Sequence, residues 1–181
     1  MAGEIELAVG RDLVGQLGFD KNGLFGRNYS GRYVSATPSS ITGIATQKCL
    51  SVVTIPKELI RPFTYIEIDA LWKIVGSNNK TYQILIGEGG AGYESMSYIY
   101  NAADVSFAGT LHCRSALLIG AEVSQQIAGI NNSVSGLGNH TSPPVELNKS
   151  LDVGMDVGFA AKLSNAADSV TLLGYSIRID S

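Results

Sequence analysis

Between residues 65 and 75 apolar and polar side chains alternate, and this pattern restricts the fold more than any other feature of the sequence. The set that is apolar throughout consists of Ile66, Ile68, Ala70, Trp72 and Ile74. Only a β-strand, whose successive side chains point to opposite faces, keeps such a set on one side. A turn cluster at 76–79 and a further extended run at 80–87 then predict an antiparallel hairpin.

The same alternation recurs over most of the chain after residue 47. It predicts strands at 49–55, 97–101, 111–121, 125–130, 151–159 and 173–179. Residues 131–144 are rich in Asn, Ser, Gly and Pro, which predicts a long loop. We therefore expect an all-β fold, an antiparallel β-sandwich of the jelly-roll type with seven to eight strands.

The first 45 residues differ from the remainder because eight glycines interrupt every apolar run. We expect an extended, glycine-rich N-terminal arm over residues 1–45 and a sandwich domain over residues 46–181. Such an arm is either a disordered leader or a segment that orders only against a partner, and both alternatives stay open.

Charge and composition exclude several classes of function. Charged residues make up 16% of the chain and the formal net charge is −3, so no large positive field exists to attract nucleic acid. The first ten residues carry acids and no apolar run, which predicts no secretory signal. No run approaches the roughly 20 apolar residues of a spanning helix, so we expect no membrane insertion.

Cys49 and Cys113 are expected to be buried free thiols, although the sequence leaves their pairing open.

Some predicted strands are apolar on both faces. Residues 116–119 are apolar throughout, and Leu71 and Val75 fall on the polar face of their strand. Such side chains indicate a second buried surface, covered either by copies of this chain or by its own loops. We favour self-association. Its candidate interface residues are Leu71, Val75, Leu117, Leu118 and Ile119.

The sequence offers little for catalysis. His112 and Cys113 are consecutive on a predicted strand, so the imidazole and the thiol point to opposite faces and form no Cys-His pair. No Gly-x-Ser-x-Gly turn precedes a helix, and two histidines in different segments do not supply a zinc site. We expect neither an enzyme nor a protein with a cofactor or metal ion.

Acidic residues do occur in pairs that a hydrolase could use. Asp152 with Asp156, and Glu67 with Asp69, fall on one face of their predicted strands. Paired carboxylates can act as general acid and base or bind calcium. In a sandwich they more often form the solvated face, and this is the interpretation we favour. A small glycoside hydrolase or esterase that depends on Glu67, Asp152 or His140 is therefore the third-ranked hypothesis.

Two loops carry side chains suited to binding. Residues 87–92 are glycine-rich but lack the Gly-Lys-Ser/Thr of a phosphate loop, and they lead into Tyr93. A tyrosine offers a flat apolar face and one hydroxyl at low entropic cost. Tyr93 in this loop, with Asn139 and His140 in the long loop, would suit stacking on a sugar and hydrogen bonding to its hydroxyls. The alternative is that both segments are ordinary loops.

Four segments, taken in order, resemble a known family: Thr54-Ile-Pro-Lys-Glu-Leu-Ile60, Tyr65-Ile-Glu-Ile-Asp-Ala-Leu-Trp72, Asn79-Lys-Thr-Tyr-Gln-Ile-Leu-Ile-Gly87 and Asp168-Ser-Val-Thr-Leu-Leu-Gly-Tyr-Ser-Ile-Arg-Ile-Asp180. They resemble the jelly-roll domains of bacteriophage tail fibres, tail spikes and capsid fibres, which bind receptors or decorate the virion. The resemblance spans residues 31–181. It implies a non-enzymatic virion protein, commonly a homotrimer, whose N-terminal arm attaches to other virion proteins. It also implies that the β-domain faces outward, toward a host-surface glycan, and it carries over no ligand residue.

We therefore favour a structural protein of a bacteriophage virion surface, which assembles with itself and either decorates the particle or binds the host. Such a protein is made in the host cytoplasm and is located in the virion. The alternative is a stand-alone, lectin-like β-sandwich module that binds carbohydrate as a monomer or dimer.

Overall fold

Two antiparallel β-sheets pack face to face in the structure, which is a computed structural model. The structure describes residues 4–8, 12–19, 25–43, 46–128 and 145–180, with side chains in these ranges from residue 31 onward except at 104 and 145. Over these ranges the strands are β1 (Glu4–Ala8), β2 (Asp12–Phe19), β3 (Phe25–Ser35), β4 (Ser39–Thr42), β5 (Lys48–Ile55), β6 (Tyr65–Val75), β7 (Lys80–Glu88), β8 (Ser97–Val105), β9 (Gly109–Ile119), β10 (Gln126–Ala128), β11 (Val145–Glu146), β12 (Met155–Leu163) and β13 (Ser169–Asp180). Single 3-10 turns occur at Lys57–Leu59 and Tyr93–Ser95.

The order of the strands identifies the sandwich as a jelly roll. The large sheet has the order β1-β2-β3-β13-β6-β9-β10-β11, with β4 also paired to β13, and the small sheet has the order β5-β12-β7-β8. The chain crosses between the sheets so that β13 and β12, its last strands, pair with β4 and β5. Two interlocked Greek keys of this kind define a jelly roll. The predicted fold class is confirmed, although the described residues form more strands than the seven to eight expected.

Strand β6 lies at the centre of the large sheet and confirms the alternation that the sequence predicts. Its inward side chains, from Ile66 to Ile74, are at most 2% exposed, whereas its outward side chains reach solvent. The strand pairs with β13 along one edge and with β9 along the other. Because each fully buried large apolar side chain stabilises a fold by about 1.5–3 kcal/mol, this inward row anchors the core between the sheets.

A bulge in β13 changes the faces that simple alternation predicts. The register shifts between Leu172 and Gly174, so Leu172 is buried and Tyr175 turns inward. The ring of Tyr175 then stacks on Phe159 with a centroid distance of 4.5 Å. The alternation of residues 173–179 predicts that Leu173 and Tyr175 share a face, and this prediction is wrong because one extra residue shifts the alternation by one position.

The predicted N-terminal arm contributes strands to the large sheet. β3 pairs with residues 175–180 of β13 and β4 pairs with residues 169–172, so both lie along the same edge of that strand. The glycines of this segment do not prevent strand formation, because strand hydrogen bonds join backbone groups that glycine also has. A role of residues 1–45 in attachment stays a prediction.

Two of the five candidate interface residues lie in the core. Leu117 and Ile119 are 0% exposed, because they belong to the inward row of β9 that packs against the small sheet. Their assignment to an interface is wrong. Leu71, Val75 and Leu118 point outward and are 40%, 46% and 42% exposed, so their role in self-association stays a prediction.

A buried ion pair between Lys80 and Asp168 joins the turn after β6 to the turn before β13. The Lys80 Nζ lies 2.8 Å from Asp168 Oδ2 and also donates to the carbonyl oxygens of Gly76 and Asn78. The hydrogen bond from Lys80 is the main cause that lowers the pKa of Asp168. Asp168 is the first residue of the fourth segment that resembles phage domains, and Lys80 is the second residue of the third. These two motifs therefore have a structural role, since they hold two turns together.

Candidate ligand-binding site

The outward side of the small sheet, here called the small-sheet outer face, has short side chains along its centre. β12 presents Gly158 and Ala160 on this side, since the residues between and beside them point into the core. Their register partners on β7 are Leu85 and Gln83. Short side chains on a strand let a covering group approach the sheet closely.

Strand β8 places an aromatic ring and an amide on this face. A bulge opposite Ile84 and Leu85 brings both Tyr98 and Asn101 outward, where Tyr98 pairs with Leu85 and Asn101 with Gln83. Tyr98 is 42% exposed. The Gln83 Nε2 donates a hydrogen bond of 3.1 Å to Asn101 Oδ1. An exposed phenol ring therefore stands beside an ordered pair of amides.

Residues 89–96, here called the covering loop, connect β7 to β8 and lie over part of this face. Met96 occupies the space above two glycines of the sheet. A Cβ atom at Gly87 would lie 2.6 Å from Met96 Cγ, and one at Gly158 would lie 2.9 Å from Met96 Sδ. The absence of side chains at these glycines is what allows the loop to close against the sheet.

Asp156 holds the start of the covering loop. Its buried carboxylate accepts hydrogen bonds from Thr54 Oγ1 at 2.7 Å and from the Gly90 N–H at 2.8 Å. The expectation that Asp156 shares a solvated acidic face with Asp152 is wrong, because the loop covers Asp156. Asp152 is exposed and accepts a hydrogen bond from Ser150 Oγ at 3.1 Å. Asp156 thus positions backbone, and its contacts are not those of a general acid or base.

Tyr93 lies at the rim of the covering loop and is partly exposed. Its hydroxyl donates a hydrogen bond of 3.4 Å to the carbonyl oxygen of Gln47. Desolvation, with a smaller contribution from the charge of Glu94, raises the pKa of Tyr93. The phenol is therefore protonated and a hydrogen-bond donor at neutral pH, and its contact with a ligand stays a prediction.

The base of the long loop is tied to the covering loop. The buried Gln126 of β10 donates to the Lys149 carbonyl at 2.8 Å and accepts from the Lys149 N–H at 2.7 Å. The Lys149 Nζ reaches the Ser95 carbonyl at 3.1 Å. The two loops that the sequence selected therefore start from one region of the molecule. Asn139 and His140 themselves lie outside the described residues.

The outward side of the large sheet, here called the large-sheet outer face, carries a ladder of ion pairs. Asp69 accepts hydrogen bonds of 2.9 Å from both Arg114 Nε and His112 Nε2. Glu67 lies 3.2 Å from Arg114 and 3.7 Å from Arg178. Both carboxylates are engaged by cationic or imidazole groups, so this pair of acids is not arranged as an acid and base across a cleft.

The cysteines contribute no reactive group. His112 is exposed and Cys113 is buried, which confirms that they point to opposite faces. Burial raises the pKa of Cys113 to about 12, so its thiol is neutral. Cys49 is only half-buried, contrary to the expectation of two buried thiols.

Over the described ranges no group of three His, Cys, Asp or Glu side chains could hold a metal ion. No helix in that part of the chain is both long and apolar enough to cross a bilayer.

Sequence reasoning missed the side chains at the centre of this site. Simple alternation places Tyr98 and Tyr100 on one face, whereas the bulge in β8 exposes Tyr98 and buries Tyr100. No sequence signal marks that bulge. Gln83 did carry a signal, because it is polar within the otherwise apolar run 82–86.

Comparison with known proteins gives solved structures of low sequence identity and low TM-score. No protein-family model matches the sequence, and no curated protein matches it. The metal-free lectin I-B4 from Griffonia simplicifolia is 8% identical with a TM-score of 0.34, over 100% of this chain and 92% of that one. The metal-free carbohydrate recognition domain of Emp46p is 10% identical with a TM-score of 0.42, over 98% and 86%. The CBM2 module of the evolved Dit of Lactobacillus casei BL23 phage J-1 is 8% identical with a TM-score of 0.39, over 94% and 82%. At these values no residue or activity transfers to this chain.

Proposed function

We propose that this protein binds carbohydrate, and that its site is the small-sheet outer face around Tyr98, Gln83 and Asn101. The observation that supports this most is the exposed ring of Tyr98 beside the hydrogen-bonded amide pair. A sugar ring has an apolar C–H side, which packs against an aromatic face, and hydroxyls, which need groups that both donate and accept. Amide side chains do both.

The proposed contact groups are held in place before a ligand arrives. Gln83 and Asn101 lie on paired strands, and their mutual hydrogen bond restrains the orientation of both amides. Among the described residues this is the one side-chain hydrogen bond that either amide makes, so their other N–H and oxygen positions are available to hydroxyls. Pre-ordered groups lose less conformational freedom on binding, which favours affinity.

The covering loop and the long loop would widen the site. Tyr93 at the rim supplies a second phenol, and Lys149 links the base of the long loop to this rim. Asn139 and His140 remain proposed ligand contacts on that loop. Binding through loop side chains on a rigid β-scaffold requires no chemical turnover, which agrees with the expectation of a non-enzymatic protein.

A glycan array followed by calorimetry with the tightest-binding glycan tests this proposal. We expect Tyr98→Ala to weaken binding about tenfold, which corresponds to ~1.4 kcal/mol for a lost stacking contact. Asn101→Ala should weaken binding to a similar extent because it also frees Gln83. The matched control is Tyr65→Ala, since Tyr65 is 40% exposed on the other sheet, close to the 42% of Tyr98. Unchanged affinity in Tyr98→Ala and Asn101→Ala, or no bound glycan, would contradict the proposal.

A second candidate function is display on a bacteriophage virion as a self-assembling surface protein. It is supported by the order of the four sequence motifs and by the outward, exposed Leu71, Val75 and Leu118, which suit assembly. Antibody raised against the purified chain should label particles of the phage that encodes it in electron micrographs. Antibody signal confined to the soluble fraction of infected cells would refute this role.

A further inference from the structure

The large-sheet outer face carries exposed apolar side chains that the proposed glycan site does not use. Among the described residues, those on this face that are large and at least 40% exposed are Val34, Tyr65, Leu71, Val75 and Leu118. Next to Leu71 lies an open depression of about 550 Å³, with Leu173 and Gly174 among its lining residues. Apolar surface of this kind on a sheet face marks an interaction surface.

Charges on this face are distributed unevenly about Leu71. The outward residues of β6 are, in order, Tyr65, Glu67, Asp69, Leu71, Lys73 and Val75. Both acids therefore lie on one side of Leu71, and the lysine lies on the other. Because the strand pairs on both edges over its full length, these positions are fixed relative to one another.

A two-fold axis that lies in the plane of contact, crosses the strands and passes over Leu71 makes this face complementary to itself. Such an axis reverses the strand direction between the copies. Leu71 then meets Leu71 of the second copy, with the adjacent depression providing room for the side chain. Asp69 meets Lys73 of the second copy, and Lys73 meets Asp69. A single patch that satisfies itself in this way is the defining property of a two-fold interface.

In the same arrangement the arginines of the neighbouring strands face uncharged side chains, and His112, the register partner of Leu71 on β9, faces His112 of the second copy. Arg114 of β9 lies beside Asp69, and the position that it faces in the second copy is Thr110. Arg178 of β13 lies beside Glu67, and it faces Ser169. Hydroxyl side chains are neutral partners for the guanidinium groups. The charged end of the face thus meets its hydroxyl-bearing end.

The other two-fold arrangement is unfavourable. An axis parallel to the strands would place Asp69 opposite Asp69 and Glu67 opposite Glu67. Like charges held against one another across an interface repel, so charge selects the reversed arrangement.

The size of the face is compatible with a stable dimer. Strand β6 has 11 residues. Four strands of that length, at about 4.8 Å between strands and 3.3 Å per residue, cover roughly 700 Å² on each copy. Standard interfaces bury about 800 Å² per partner.

We propose that the large-sheet outer face binds a second copy of this chain in an antiparallel, two-fold dimer centred on Leu71. The dimer leaves the two small-sheet outer faces on opposite sides of the assembly. Because the two sites then face away from each other, the dimer would bridge two ligand-bearing surfaces and would not place both sites on one of them.

The mass of the full chain in solution, measured by light scattering and native mass spectrometry at micromolar concentration, tests the dimer. We expect twice the chain mass of 19.1 kDa for the wild type. Leu71→Asp and Lys73→Glu should each raise the dissociation constant at least tenfold. Val52→Asp is the matched control, because Val52 is 46% exposed on the opposite sheet, and it should leave the dimer intact. Circular dichroism checks that each variant is folded.

A mixing experiment separates charge pairing from general damage. Lys73→Glu places two acids opposite each other in its own dimer, and Asp69→Lys places two lysines opposite each other. Mixed in equal amounts, the two variants restore both pairs, so a heterodimer should form although neither variant dimerises alone. A monomeric or trimeric wild type would overturn the proposal. A dimer that survives Leu71→Asp and Lys73→Glu would also overturn it. None of these outcomes depends on glycan binding, which is measured separately.

Discussion

The small-sheet outer face and the large-sheet outer face are both rows of outward side chains on paired antiparallel strands, yet the groups that they carry differ. The small sheet presents amides, a phenol and glycines beneath a loop, with its one central carboxylate covered. The large sheet presents carboxylates, guanidinium groups and exposed aliphatic side chains. Neutral groups that donate and accept suit hydroxyl-bearing ligands, whereas mixed charge and aliphatic groups suit a protein surface. The inward rows of both sheets are alike apolar, so any difference in what the two faces bind must come from the outward rows.

The change expected to disturb both faces most is the loss of the buried ion pair that joins the small sheet to the large sheet. Lys80 begins β7 of the small sheet, and Asp168 precedes β13 of the large sheet. We expect Lys80→Met to lower the melting temperature by roughly 10 °C, because it leaves a buried carboxylate without its cation. Thermal unfolding followed by circular dichroism measures the change. Lys162→Met, at an exposed position of β12, is the control, and equal melting temperatures would show that the buried pair has no special role.

The pH dependence of stability tests the same buried ion pair. The pKa of Asp168 is lowered in the folded state, so its contribution to stability is present above the unfolded value of about 3.9. The contribution is lost as the pH falls through the lower, folded value. Melting temperatures between pH 2 and pH 5 should therefore fall less steeply in Asp168→Asn than in the wild type. Parallel curves for the two proteins would contradict this assignment.

Two glycines test how each face is built, with smaller expected effects. A Cβ at Gly174, on the large sheet, would lie 2.5 Å from the backbone oxygen of Ser35. A Cβ at Gly158, on the small sheet, would meet the flexible end of Met96 at 2.9 Å. We expect Gly174→Ala to cost about 1–3 kcal/mol and Gly158→Ala less, because backbone cannot move aside as a thioether can. Denaturant unfolding measures the free energy of unfolding of both variants. A larger loss of stability in Gly158→Ala than in Gly174→Ala would contradict our description of these two contacts.

Much of the fold was predictable because alternation is a local property of the chain. The inward row of β6 follows from residues 66–74 alone, and the jelly-roll class follows from the number and spacing of such runs. The predicted faces were wrong where one extra residue enters a strand. The bulges at Leu172 and at Tyr98 shift the alternation, and they depend on how neighbouring strands pair.

The candidate site was predictable only at its rim. Tyr93 was selected because it follows a glycine-rich segment, and the structure places it at the edge of the covering loop. Tyr98, Asn101 and Gln83 come together through a register between β7 and β8 that no local pattern encodes. Asp156 was misassigned for a related reason, since the loop that buries it comes from a segment more than 60 residues away in the chain.

The central claim is that the small-sheet outer face, and not the large-sheet outer face, receives the glycan. Titration of the isotope-labelled protein with the tightest-binding array glycan, followed by nuclear magnetic resonance, tests this most directly. Our account predicts that shifts concentrate in the side-chain amides of Gln83 and Asn101 and in the backbone of β8 and the covering loop. Shifts concentrated instead around Asp69, Leu71 and His112 would contradict it.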